Sequence, residues 1–367
     1  MKAALQTARI VVGIAFIFSG FVKGVDPLGS AYKFNDYFQA FNLEVLSFSS
    51  LPLAILLSTV EFIAGTSLLT GIRLRTGITV VMILMVLFTP LIFVLALTNP
   101  VSDCGCFGDA IKLTNWQTFW KNVVLISLTL VLFLNRKKVN KVTGSESLWI
   151  IGGSAAVFIL FCLFNLRNLP VIDFLPYKKG VNIAEQMSMP ADAAADKYET
   201  TFIYEKNGIR KEFTLNDYPS DDSTWKFIDQ KSVLVEKGYK PPIHDFSIRA
   251  THGDDLTSKI LSHNGYSVFM IVKKLGSANM KRLQRGFETG FACMNNGIDF
   301  YVLTASGADE TVKFENGLQI YNVDETTLKT MVRSDPGYMV IKNGTILEKW
   351  SWATLPEKDR VVQLYAK

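Results

Sequence analysis

The sequence predicts a membrane α-helical protein with five spans, followed by a water-exposed α/β domain. Two observations predict it. Hydrophobic residues make up 49% of the 367 residues and charged residues only 19%, with a mean hydropathy of +0.22. That composition excludes a disordered chain and fits an ordinary soluble domain poorly. The apolar excess is also uneven. It lies in the first half, as long runs almost free of charge, whereas the sequence beyond about residue 170 reads like a soluble domain.

A spanning helix needs about 20 mostly apolar residues. Five segments supply them: 5–24, 51–72, 76–98, 117–135 and 147–168. The first reads as an uncleaved helix. It lacks a small-x-small cleavage site and carries Arg9, with bulky Phe16, Phe18 and Phe21 late in it. Lys and Arg in short loops set orientation. Arg73 and Arg75 in one loop, and Arg136, Lys137, Lys138 and Lys141 in another, place both loops in the cytoplasm. The N-terminus is then cytoplasmic, loops 25–50 and 99–116 face outward, and the fifth span delivers the C-terminal domain outside. Arg167, Lys178 and Lys179 run against this orientation, but charges leading into a large domain count for less. No eukaryotic targeting motif is present, so the expected location is a bacterial inner membrane with a periplasmic C-terminal domain. The net charge of +5 sits mostly beside apolar runs, which reads as membrane orientation and not nucleic-acid binding.

The first outward loop carries Asp26-Pro27 and then Tyr32, Phe34, Tyr37, Phe38 and Phe41, a pattern that suits an interfacial helix on the bilayer. The second carries Asp103-Cys104-Gly105-Cys106-Phe107-Gly108-Asp109. Gly105 permits the backbone angles a tight ring between the thiols needs. A disulfide closed over so short a loop is of the strained, oxidising kind, in a compartment where disulfides persist. Asp103 and Asp109 oppose thiolate formation, and Lys112 and Lys121 offset them. Spacing alone leaves three readings open: redox exchange, a structural disulfide, or a soft-metal site completed by Asp109 or Cys162. The membrane half has no His, so a zinc site is hard to assemble and no metal is assigned.

The first four spans resemble the DoxX/MauE group of four-helix membrane proteins. The matching stretches are Arg9-x3-Gly13-x2-Phe16-x2-Ser19-Gly20-x2-Lys23, Asp26-Pro27, Glu61-x3-Gly65, Gly71-x-Arg73 and Cys104-Gly105-Cys106-Phe107-Gly108. The last stretch resembles the MauE branch in particular. MauE-like proteins are linked to disulfide formation in maturing periplasmic quinoprotein dehydrogenases. Their architecture is similar to that of vitamin K epoxide reductase, and DoxX relatives include a subunit of a thiosulfate:quinone oxidoreductase. The resemblance covers about residues 1–138 and implies a redox role with a membrane quinone as electron acceptor. The fifth span and the large C-terminal domain depart from it.

Within the spans, Glu61 needs a partner or a proton. Arg9 is the candidate partner, as a packing pair or as part of a proton path. Lys23 and Asp26 are expected to snorkel or pair at the outer interface. Thr89-Pro90 should kink the third span, and Trp116, Phe119 and Trp120 read as an aromatic belt. Cys162, about two turns inside the fifth span, is a candidate accessory thiol, with apolar packing as the plainer reading.

In the C-terminal half, 188–196 reads as a linker or short helix and Asn207-Gly208 as a hairpin turn. Strands are expected at Phe246–Ile248, Tyr266–Lys274, Ile298–Thr304, Tyr338–Lys342 and Thr345–Trp350, with helices at 255–263, 277–295 and 325–333. That order resembles a thioredoxin-like fold, with Pro336 of Asp335-Pro336 at the position of its cis-proline. The family's Cys-x-x-Cys is missing: its place reads Leu275-Gly276-Ser277-Ala278-Asn279. Cys293 reads as packing, and His244, His252 and His263 as surface or turn residues. The expected domains are therefore a bundle at 1–138, a fifth transmembrane helix at 139–170, a β-rich connection at 171–242 and a thioredoxin-like domain at 243–367. The expected function is thiol/disulfide exchange at Cys104/Cys106 between a periplasmic thiol or sulfur substrate and a quinone. The rival is a non-catalytic, membrane-anchored assembly protein whose C-terminal domain binds an envelope partner.

Overall fold

A computed structural model describes all residues except 1, 102, 138–145, 191, 216, 221, 237, 251–252, 315–316 and 367. Lys138, Lys141 and His252 thus lie outside the described residues. Among the described residues, five helices are long and apolar enough to cross a membrane. The N-terminal part runs α1 (Lys2–Val25), α2 (Pro27–Ala40), α3 (Ser50–Thr70), α4 (Leu74–Thr98), α5 (Asn115–Leu134) and α6 (Glu146–Arg167). This is a multi-pass membrane protein.

Small residues set the closest helix contact, as they do where backbones approach inside bilayers. A Cβ on Gly20 would lie 2.6 Å from both the Phe62 nitrogen and the Ser58 oxygen. One on Gly65 would lie 2.6 Å from the Ile17 nitrogen, and one on Gly13 2.7 Å from Leu69. These contacts make α1 and α3 antiparallel, with Ser19 level with Glu61 and Arg9 level with Leu69. α4 packs on α5, and α6 packs against α1, α2 and α3. There Phe158 stacks on Phe62 with ring centroids 4.4 Å apart. α4 continues as helix through Pro90. At the opposite end, Arg75 donates to the Arg136 and Lys137 carbonyls at 3.1 and 2.9 Å, in the turn that follows α5.

α2 starts at Asp26-Pro27, with Asp26 accepting from the Gly29 amide at 2.8 Å and Pro27 in the first turn. It does not lie free on a bilayer surface. Tyr32 is half-buried beneath Lys273, Lys329 and Arg333 of the C-terminal domain, which lie 5.0, 5.2 and 5.4 Å from its ring centroid. The exposed apolar residues are on the following turn instead, at Val45 and Phe48.

Residues 182–246 form a compact unit of their own. It holds α7 (Ile183–Met187) and a three-stranded antiparallel sheet of β1 (Lys197–Lys206), β2 (Ile209–Phe213) and β3 (Lys226–Glu236), in the order β2-β1-β3. Asn207 and Gly208 turn the β1–β2 hairpin with φ of 54° and 79°, the left-handed pair that a two-residue turn requires. Residues 188–196 are not helical where described.

The C-terminal α/β domain runs α8 (Thr257–Leu261), β4 (Tyr266–Val272), α9 (Met280–Asn295), β5 (Asp299–Thr304), α10 (Ala308–Thr311), β6 (Gln319–Asn322), α11 (Glu325–Met331), β7 (Gly337–Lys342), β8 (Thr345–Ser351) and α12 (Lys358–Tyr365). The sheet order is β6-β5-β4-β7-β8. β4 pairs in parallel with β5 and antiparallel with β7, which places it centrally. Its apolar run Val268–Val272 is buried throughout, as a strand covered on both faces must be. The strand expected at Phe246–Ile248 is absent; Arg249 makes only isolated bridges, to Asp255 and Asn322. The helix expected at 255–263 shrinks to α8, and β6 and α12 were not anticipated.

Because Gly20 faces backbone, Gly20→Val forces α1 and α3 apart, at a cost of about 2 kcal/mol or more. The detergent-solubilised protein should unfold at a clearly lower temperature, while Gly152→Ala, which meets open space, should leave the transition unchanged or higher.

Candidate functional site

The cysteine loop turns inward. Positive φ at Gly105 (63°) and Gly108 (52°), with the Gly108 amide on the Gly105 carbonyl at 3.0 Å, folds it into a tight turn that glycine alone adopts without strain. Cys104 is buried against Ile92 and Leu95 of α4, with Tyr37 and Phe119 around it; Cys106 is half-buried. Both are free thiols with their sulfurs 2.6 Å apart. The Tyr37 hydroxyl donates to the Cys104 carbonyl. The Cys106 thiol holds Cys104 below the ordinary thiol value against the opposing effect of burial, helped by Thr118 and Lys121. Cys104 and burial together push Cys106 above it. The loop thus separates one thiol that ionises readily from one that does not.

Beneath the loop lies the pair predicted for Glu61, with a different partner. Lys23 Nζ is 2.8 Å from both Glu61 carboxylate oxygens, and both side chains are almost fully buried. Arg9 is not the partner. The antiparallel register carries it to the other end of α3, where Nη2 reaches the Leu69 carbonyl at 3.4 Å. Lys23, expected to snorkel or pair at the outer interface, pairs inward, because Glu61 lies level with its own helix face. Ser19 Oγ is 2.8 Å from Glu61 Oε2 and 2.8 Å from the Cys106 carbonyl. It carries a single proton, so it donates to one at a time, while Lys23 donates to it at 3.0 Å. Ser19 is six residues from the end of α1, about 9 Å at 1.5 Å per residue. The loop therefore reaches down into the bundle and does not rest on its rim.

Above this network is a cleft of about 130 Å³. All four helices of the bundle and α2 line it, with Phe16, Phe34 and Phe88 among its apolar walls, and Lys23, Glu61, Lys121, Ser30, Cys104 and Cys106 among its polar ones. Lys121 Nζ also sits 4.1 Å from the Phe107 ring centroid. Ser30 Oγ is buried there without a hydrogen-bond partner among the described residues.

Residues 1–135 match the family model described as methylamine utilisation protein MauE. Over those residues the membrane part is similar to MauE. Residues 198–237 match a second model, a domain of unknown function (DUF8463). No curated protein matches the chain.

Each end of the MauE-like cysteine loop is held by a cation. Lys33 of α2 meets Asp103 at 2.9 Å. Asp109 meets Arg333 of the α/β domain at 2.7 Å and Lys112 at 3.8 Å. Arg333 also meets Asp26 at 2.7 Å. Sequence reasoning missed Lys33 and Arg333; an arginine two residues before Asp335-Pro336 gives no signal of a partner more than two hundred residues upstream. The Asp335–Pro336 peptide bond is cis, and Arg333, two residues before Asp335, meets Asp26 and Asp109 of the membrane part. Cys162 is not part of the site. It is fully buried in α6 with Ser58 as its hydrogen-bonding neighbour, and it does not line the cleft. The reason is that α6 packs outside the α1–α3 pair. Cys293 is buried in the core of the α/β domain. His263 lies at the surface 3.0 Å from Asp299, and His244 at the surface beside Asp245. Among the described residues no cluster of metal-ligand type occurs.

Two outcomes follow. Lys23→Met leaves Glu61 buried and unpaired and should cost about 3–5 kcal/mol, whereas Lys23→Met with Glu61→Leu should recover most of that loss in thermal unfolding. Cys104 of the reduced protein should be alkylated with a pH midpoint at least one unit below about 8.5, the ordinary thiol value, with the rate rising as pH rises through it. A midpoint at or above 8.5 would contradict the loop electrostatics.

Proposed function

We propose that this chain is an inner-membrane thiol/disulfide redox protein, with the N-terminus cytoplasmic and the α/β domain, thioredoxin-like in its element order, in the periplasm. Cys104 and Cys106 exchange electrons between an exported thiol or sulfur substrate and a membrane quinone. The observation that carries this reading is the paired thiols, 2.6 Å apart, beside a largely apolar cleft and over a buried charge pair.

In the oxidised form a client thiolate attacks the half-buried Cys106 sulfur, giving a mixed disulfide and releasing Cys104 as thiolate. The lowered value of Cys104 makes it the better leaving group. A second client thiol then displaces Cys106. The client gains a disulfide, and the pair holds the two electrons, with protons taken up to give two thiols. A quinone, when bound, supplies the two-electron, two-proton acceptor that restores the Cys104–Cys106 bond. The residues present fit such a group. Phe16, Phe34 and Phe88 offer apolar walls, and the unpartnered Ser30 hydroxyl offers a hydrogen bond to a carbonyl oxygen. Lys23, Ser19 and Glu61 hold protons within one hydrogen-bonded chain. A second reading is favoured by the cysteine-free Gly276–Asn279 stretch, which leaves the α/β domain no thiol chemistry of its own beside Pro336. In that reading the chain is a membrane-anchored assembly protein for an envelope partner.

Purified full-length protein should carry electrons from dithiothreitol to a short-chain, water-soluble quinone, and Cys104→Ser or Cys106→Ser should each reduce the rate to the protein-free background. Equal rates in wild type and both variants would leave only the anchoring role.

A further inference from the structure

The α/β domain reaches the dithiol loop through one side chain. Arg333 is 5% exposed at its side chain, although it sits on the segment between α11 and β7. Its Nε meets Asp26 Oδ2 and its Nη2 meets Asp109 Oδ2, each at 2.7 Å. Its Nη1 donates to the Lys329 carbonyl, so the guanidinium fork is oriented by its own domain before it reaches the membrane part. A planar fork can bridge two carboxylates in this way and a lysine ammonium cannot do so in fixed geometry. The approach is tight on the other side too. A Cβ on Gly29 would lie 2.9 Å from Arg333 Nη2, so only glycine leaves room at that turn of α2. The domain is braced at two further points. Lys349 meets Asp173 at 2.6 Å, and Ser351 Oγ donates to the Arg167 carbonyl at 2.8 Å.

Asp26 is the N-cap of α2, and Asp109 closes the cysteine motif. Arg333 therefore ties the far end of the loop to the same helix that holds the near end through Lys33 and Asp103. We propose that Arg333 is a positioning residue for the dithiol: the α/β domain, which lacks a Cys-x-x-Cys pair, acts in cis, clamping the loop so that Cys106 stays against Cys104. This rests on the redox reading of that pair. It also gives the domain a part in the chemistry that needs no thiol of its own.

The experiment reads the alkylation midpoint of Cys104 in reduced, full-length protein with iodoacetamide, resolved by peptide mass spectrometry. The midpoint, unlike the plateau rate, does not depend on how exposed the sulfur becomes. The titratable and charged groups around the pair are Lys121 and Lys23, Tyr37, Glu61 in the cleft, and the Lys33–Asp103 and Arg333–Asp109 pairs at the ends of the loop. Arg333→Gln should raise the midpoint by at least one unit, a loss of about tenfold in rate at pH values below it. Asp109→Ala releases the same contact from the membrane side without touching the α/β domain, and it should raise the midpoint as well. A pure charge effect predicts the reverse for Asp109→Ala, because removing a nearby carboxylate favours a thiolate. A midpoint that falls or stays fixed in Asp109→Ala would overturn the clamp, also where Arg333→Gln fails to fold. No quinone or client enters this measurement. A shifted midpoint alongside failed quinone reduction would therefore count against the redox function alone.

Discussion

A carboxylate inside a helical membrane bundle is stable only if a cation meets it, and the contact of Lys23 with Glu61 is the constraint on which the site turns. Both side chains belong to the two helices whose glycines bring their backbones together, so the pair is fixed in depth by packing. Ser19 shares the same face of α1, four residues from Lys23, and lies level with Glu61. Its hydroxyl extends the pair to the Cys106 carbonyl. The polar chain thus gives the cysteine loop a reason to fold inward: a buried acceptor and donor already wait there. The cleft follows from the same geometry, since the inward loop and α2 roof a space that the four helices leave open.

The outer half of the site is built from ion pairs of the opposite polarity. The motif carries a carboxylate at each end, and each is met by a cation from a different element. Neutralised acids do not oppose a thiolate as free ones do, so the loop can keep its aspartates as anchors without losing the lowered Cys104. Lys121 and Lys23 add positive charge from below. A low-lying Cys104 beside a high-lying Cys106 is the asymmetry that disulfide exchange uses, with one sulfur to be attacked and one to leave. The α/β domain enters this arrangement by charge and shape, through a buried arginine next to its cis-proline.

Much of this was legible in the sequence. Length and hydropathy marked the five membrane helices, since a span is a one-dimensional property of about 20 residues. The Cys-Gly-Cys loop was visible because two thiols around a glycine are rare and local. The motif residues Gly13, Ser19, Gly20, Lys23, Glu61 and Gly65 all stand out in the sequence, yet the sequence pointed to Arg9 as the partner of Glu61. Choosing between two basic residues on one helix requires the register of the neighbouring helix, which no single-helix pattern carries. Arg333 and Lys33 were invisible for the same reason at longer range. β3 was missed because its apolar and charged residues show no one-sided alternation, and every position of it is exposed. Cys162 looked close to the loop by depth alone; its lateral position depends on which helices α6 packs against.

The central claim is that Cys104 and Cys106 are a working redox pair, and their oxidation state in intact cells tests it most directly. Free thiols would be capped in acid-quenched cells, disulfides then reduced, and the newly freed thiols capped with a second mass tag. The account predicts that both cysteines shift together from the oxidised to the reduced tag when respiration is stopped, and back when it resumes. Two cysteines that keep one tag under both conditions would contradict it.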